Sequence, residues 1–242
     1  MIVTGAAGVG GIGEAIAQRV GEEGGVPVLT SRREADAKKA AARVGGKAEG
    51  RACDLTREAD CDALVRDVVR AHGRLDGIVH NAGAPITDWD RPFLDTPVEA
   101  FAKVFDVDVL GSIRLTRAAL PAMRPKGGSL VFTSSTAALA GYEHLHEFSP
   151  AKAGLLGLMK GLASELARDG IRANAVAYGN IGSPGTLGAL DETQRESLAH
   201  ESPMRRWGAP REAAGGVVFL LSDLASFVNG QTLVIDGGTV MR

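Results

Sequence analysis

The chain has 242 residues, 45% hydrophobic and 23% charged, with a formal net charge of −2. That length suits one α/β domain with a substantial core, and the balanced, mixed charge favours neither nucleic acid nor an anionic membrane surface as a partner. No apolar run approaches the roughly 18 residues of a membrane helix. The opening Met1-Ile2-Val3-Thr4-Gly5 lacks the features of a secretory leader, so a cytoplasmic protein is expected.

In chain order, short apolar runs alternate with helical periodicity, the pattern of repeated βα units and a parallel sheet. Ile2-Val3-Thr4 begins a first strand, followed by a glycine-rich turn and a helix with Ile12, Ala15, Ile16 and Val20 at helical spacing. Further strands are predicted at 26–30, 48–53 and 77–80, with a helix at 59–72 and one continuous helical run at 98–122. A fifth strand at 129–134, a long helix at 149–168, a sixth strand at 172–177, a helix at 212–221 and a strand at 232–235 complete the pattern. Residues 179–210 are rich in Gly, Pro and polar residues, with one short helix near 192–200. No repeat or linker divides the chain. The prediction is a single α/β domain: a Rossmann-type, doubly wound parallel sheet in three αβα layers.

Gly5-Ala6-Ala7-Gly8-Val9-Gly10-Gly11-Ile12-Gly13 lies directly after a strand and opens a helix. Glycines let the backbone approach a pyrophosphate, and a helix N-terminus offers free N–H donors, so this context points to a dinucleotide. The second strand ends in Ser31-Arg32-Arg33, with Arg32 where NAD-preferring proteins carry an acid. A carboxylate there would repel a 2′-phosphate, whereas a guanidinium pairs with it, so NADP(H) is the expected cofactor. Cys53 and Cys61 lack metal-ligand spacing and company and read as reduced structural thiols; no metal site is expected.

Over essentially its whole length the chain resembles the short-chain dehydrogenase/reductase family. The family's glycine motif matches Thr4-Gly5 with Gly11-Ile12-Gly13, two residues longer between its glycines. Asp54 with Leu55, Asn81-Ala82-Gly83, Ser135, Lys152 and the closing run from Gly230 to Gly238 match in order. The resemblance implies hydride exchange between a nicotinamide and a small carbonyl or alcohol substrate, in a homotetramer packed partly through the helices at 98–122 and 149–168. It places Asp54 at the adenine, Lys152 at the nicotinamide ribose, and the stretch Gly179, Ile181 and Ser183 at the carboxamide. Residues 184–203 correspond to a substrate lid.

The family's chemistry uses a serine that bonds the substrate oxygen, a tyrosine that exchanges its proton, a lysine four residues later, and an asparagine on the preceding helix. The lysine ammonium lowers the pKa of the phenol from its usual value of about 10. Ser135 and Lys152 fit by spacing, and Ser134 is one residue off. The tyrosine position is Phe148, which has no proton to give, and the asparagine position is Asp108. Tyr178 stands where the family has proline. Three explanations of Phe148 are open: a substitution that traps substrate, a natural enzyme with another proton donor, or a non-redox or regulatory protein that keeps NADP(H) as a structural ligand. Tyr142, His144, His146 and Asp108 are the candidate donors. Against that role, the histidines read as simple surface residues and Tyr142 as a packing aromatic. A lyase or cyclase using Ser135 and His146 is a further reading with less behind it.

Overall fold

A computed structural model describes residues 1–85 and 91–241. The strands are β1 (Ile2–Val3), β2 (Val28–Ser31), β3 (Glu49–Ala52), β4 (Gly77–His80), β5 (Gly128–Ser135), β6 (Ile171–Tyr178) and β7 (Thr232–Ile235). They form one seven-stranded sheet in the order β3-β2-β1-β4-β5-β6-β7, every pairing parallel. β1 pairs with β2 on one side and β4 on the other, so the strand order reverses there and opens the crevice where doubly wound sheets bind ligands.

The helices are α1 (Ile12–Glu22), α2 (Glu34–Val44), α3 (Glu58–His72), α4 (Val98–Phe105), α5 (Gly111–Met123), α6 (Phe148–Leu166), α7 (Pro184–Gly188), α8 (Glu192–Glu201) and α9 (Pro210–Leu221). One core gathers Leu64 and Val68 of α3, Leu115 and Met123 of α5, and Leu155 and Met159 of α6 beneath one face of the sheet. A second, on the other face, holds Ile16 and Val20 of α1, Ala40 of α2, and Val217 and Leu220 of α9. Helices on both faces explain why β4 reads Gly-Ile-Val-His with every residue buried. Each fully buried Leu or Met contributes roughly 1.5–3 kcal/mol. The three-layer Rossmann-type domain is therefore as predicted.

His80 ends β4 inside this core. Its ring stacks on Phe132 at 4.5 Å between centroids, Nε2 lies 3.1 Å from the Thr116 hydroxyl, and burial pushes its pKa down to about 3.

Two local departures from the predicted elements bear on the site. The run at 98–122 is not one regular helix: residues Asp106–Leu110 form a π turn between α4 and α5. Tertiary bonds hold this widened turn. Arg114 donates to the carbonyls of Leu55 and Asp106 and to the Asp106 carboxylate, and the Ser112 hydroxyl donates to the Asp108 carbonyl at 2.6 Å. Residues 184–188 form α7 where a loop is expected, because Ser183 caps it and Pro184 occupies its first position.

Candidate active site

The glycine-rich turn is shaped by the loop after β4. The buried Thr4 hydroxyl accepts from the N–H groups of Asn81 (2.9 Å) and Ala82 (3.0 Å) and donates to the Val79 carbonyl. The Asn81 amide donates in turn to the carbonyls of Thr4 and Gly5. Gly5 has φ of 63°, and a Cβ there would stand 2.6 Å from Ala82 Cα; one at Gly13 would meet Asn81 Nδ2 at 2.7 Å. Side chains are thus excluded at positions 5 and 13, and α1 follows Gly11, which offers no side-chain cap. A narrow cradle of backbone with free first-turn donors fits a dinucleotide pyrophosphate.

The two extra residues of the turn are tied down rather than loose. Glu14, buried in α1, accepts from Gly10 N at 3.5 Å and from Arg43 of α2 at 2.6 Å. The same guanidinium donates to the Ala7 carbonyl at 3.2 Å.

At the end of β2 the two arginines part. Arg33, at the cap position of α2, donates through Nε to Asp36 at 2.6 Å and is otherwise exposed. Arg32 is exposed, next to Ser31, and makes no hydrogen bond or ion pair among the described residues. Asp54 accepts from Thr56 N (3.0 Å) and Thr56 Oγ1 (2.7 Å). Those bonds first, and the charge of Arg32 after them, hold its carboxyl below the usual range. The carboxylate expected at the adenine is therefore engaged locally, with Leu55 buried beside it. Cys53 and Cys61 are both free and buried, yet not isolated: they share a side-chain hydrogen bond that holds Cys61 down and Cys53 up in pKa.

The chemistry-bearing residues meet where β5 ends against α6. Lys152 is buried, its Nζ donates to the Thr133 carbonyl at 3.3 Å, and it lies 3.0 Å from Asp108 Oδ2. The other Asp108 oxygen accepts from Ala84 N at 2.7 Å, beside Gly83. Lys152 Nζ also lies over the Phe148 ring, 5.3 Å from its centroid. Ser134 donates to the Lys152 carbonyl at 2.9 Å, which gives it a structural place. Ser135 Oγ accepts from Ala137 N at 3.1 Å, so its own proton points to no protein acceptor among the described bonds.

The remaining predicted residues are placed differently. Tyr142 donates to Thr136 Oγ1 at 3.4 Å, and Thr136 donates to the Tyr178 carbonyl, linking the phenol to the neighbour of Ser135. His144 adopts the left-handed region at φ 61°, 6.3 Å from the His146 ring, and His146 packs edge-on against Phe93 at 5.3 Å. Both histidines are partly exposed. Gly179 gives room to Asp236, whose Cβ would lie 2.5 Å from one at position 179, and Ile181 is buried. The Ser183 hydroxyl accepts from Thr186 N at 3.1 Å as the cap of α7. Tyr178, in place of proline, is buried and donates to the Ala213 carbonyl at 3.3 Å.

One residue escaped the sequence reading. Glu147, beside Phe148 at the head of α6, is 7% exposed and makes no hydrogen bond or ion pair among the described residues. An acid at a helix start is ordinary on paper; only its burial marks it.

With the switch-point crevice, the glycine cradle and the Ser135–Lys152 pair of motif residues all in place, the chain belongs to the short-chain dehydrogenase/reductase family, whose members are oxidoreductases that use nicotinamide cofactors. A family model described as Enoyl-(Acyl carrier protein) reductase matches residues 5–240. The chain is similar to Dehydrogenase/reductase SDR family member 4 of Bos taurus, 35% identical over 95% of this chain and 84% of the bovine protein. Its similarity to the Homo sapiens protein of that name is 35% over 96% of this chain and 84% of the other. It is also 38% identical to L-rhamnose 1-dehydrogenase (NAD(P)(+)) of Sphingomonas sp. (strain SKA58), over 72% of this chain and 69% of that one. Among the described residues no helix is long and apolar enough to cross a membrane.

Proposed function

We propose that the chain is an NADP(H)-dependent carbonyl reductase or alcohol dehydrogenase in which the proton at the substrate oxygen comes from a group other than residue 148. The observation that carries the cofactor assignment is Arg32, exposed and unpaired among the described residues at the end of β2, with no carboxylate in its place. Gly5, Gly11, Ile12 and Gly13 would hold the pyrophosphate, Ser31 and Arg32 the 2′-phosphate, Asp54 and Leu55 the adenine side, and Lys152 the nicotinamide ribose. Asn81 and Ala82 keep that cradle in shape, and Gly83 would complete the cofactor contact beside Asp108. Gly179 and Ile181 would flank the carboxamide.

When bound, the nicotinamide supplies or accepts the hydride. Ser135 orients the substrate oxygen, because its lone pair already accepts from Ala137 N and its own proton is left to donate. Of the candidate donors, Tyr142 stands nearest Ser135 through Thr136, and to serve it would turn its proton from Thr136 toward the substrate. Residues 184–203, with α7 and α8, would cover the substrate, and exposed Val98 of α4 and Leu110 of the π turn suit a homo-oligomer packed partly through 98–122 and 149–168. A second reading, a non-redox protein that holds NADP(H) as a structural ligand, is favoured by the absence of any hydroxyl on Phe148. Dissociation constants for NADPH and NADH, with NADPH oxidation across a ketone panel, test both. Tighter NADPH binding with turnover that falls in Tyr142→Phe is expected. Equal affinities remove the NADP assignment, and tight NADPH binding without turnover leaves the second reading.

A further inference from the structure

The two departures from the family pattern, at 108 and 148, touch one ammonium group. Asp108 is fully buried, and its Oδ2 stands 3.0 Å from Lys152 Nζ; the Phe148 ring covers the same Nζ at 5.3 Å. An asparagine at 108 would leave the buried Lys152 with a full positive charge, which is costly unless an ionisable partner stands nearby. A phenol at 148 would be such a partner; a benzene ring offers only its weakly negative face. The carboxylate of Asp108 supplies the missing charge, and the Ala84 N–H holds its second oxygen at 2.7 Å.

We propose that Asp108 and Phe148 act as one unit, in which the carboxylate cancels the field of Lys152 so that the lysine keeps its anchoring place but no longer acidifies a group at position 148. Asp108 is then a positioning residue acting through Lys152. The charged groups in contact with Nζ among the described residues are limited to this carboxylate; its other neighbours are the Thr133 carbonyl and the Phe148 ring. A lone tyrosine-to-phenylalanine exchange accounts for position 148 and leaves the acid at 108 unexplained, whereas charge cancellation accounts for both. The inference rests on the family placement of Phe148 and is independent of the substrate and of turnover.

The test places a phenol where the ring is and titrates it. In full-length Phe148→Tyr the new tyrosine should ionise at or above its ordinary pH, about 10. In Phe148→Tyr/Asp108→Asn it should ionise at least about one pH unit lower, the effect of a nearby uncancelled cation. Ultraviolet difference titration reads the phenolate, with the unaltered protein and Asp108→Asn subtracting Tyr142 and Tyr178. Identical titrations in the two variants overturn the proposal. Should the variants carrying Asp108→Asn fail to fold, the single variant Phe148→Tyr still decides. If its introduced phenol ionises a full pH unit below the ordinary value with Asp108 in place, the proposal is likewise overturned.

Discussion

The Thr4 hydroxyl sits between the N–H groups of Asn81 and Ala82, 2.9 and 3.0 Å away, so one side chain joins the end of β1 to the loop after β4. Thr4→Val keeps the shape and removes the acceptor, leaving the Ala82 N–H unmet while the Asn81 N–H keeps the Val79 carbonyl at 3.0 Å. Each buried unmet donor costs about 1–3 kcal/mol. The urea midpoint should fall with an unchanged slope, and cofactor affinity should fall with it as the turn loosens. An unchanged midpoint would show that water replaces the hydroxyl.

Arg32→Asp replaces a cation with a carboxylate at the end of β2. A charge-assisted contact is worth about 1.5–3 kcal/mol, so NADPH should bind about ten- to a hundredfold more weakly. NADH should bind unchanged or better. Arg33→Ala, by contrast, should leave the preference in place, because that side chain is held by Asp36.

His80 ties stability to acidity. Its pKa is about 3 in the fold against 6.5 for the free side chain, so the unfolded chain takes up a proton that the native state refuses. Its contribution is complete above pH 6.5 and declines as pH falls from there toward 3. By pH 5 the loss should be about 2 kcal/mol. His80→Gln, which can still reach Thr116, should lose correspondingly less between pH 7 and 5 in denaturant melts. Parallel losses in both proteins would place the acid sensitivity elsewhere.

Glu147 carries the opposite expectation. Little of the side chain is exposed, so its charge is incompletely solvated, and the amide isostere lessens that cost. Glu147→Gln should therefore raise the melting temperature by a few degrees, equivalent to about 1 kcal/mol in a domain of this size. A lower melting temperature would mean that the carboxylate has a stabilising contact.

The fold was legible because its strongest signals are local: fully apolar strands, a glycine turn between strand and helix, and amphipathic helices of ordinary length. The π turn at Asp106–Leu110 was not, since the bond from Arg114 to the Leu55 carbonyl reaches this region from across the chain, a contact that no periodicity carries. Helix α2 was only hinted at by the residues after β2. Within the site, the identities at 108, 135, 148 and 152 could be read from spacing, but the pairing of Asp108 with Lys152 needed the fold to bring a helix turn and α6 together. Ser183 could have been recognised as a cap from the proline that follows it. The engagement of Arg33 by Asp36, three residues on, was likewise open to a helical reading.

The strap formed by Glu14, Arg43 and the Ala7 carbonyl has a consequence for how a ligand is received. A longer loop ordinarily means more conformations to freeze on association, at about 1–2 kcal/mol of backbone entropy per residue. Here part of that ordering is made when the chain folds, by the bonds at Ala7 and Gly10. To that extent a ligand's interaction energy would be retained as affinity instead of being consumed in arranging the loop.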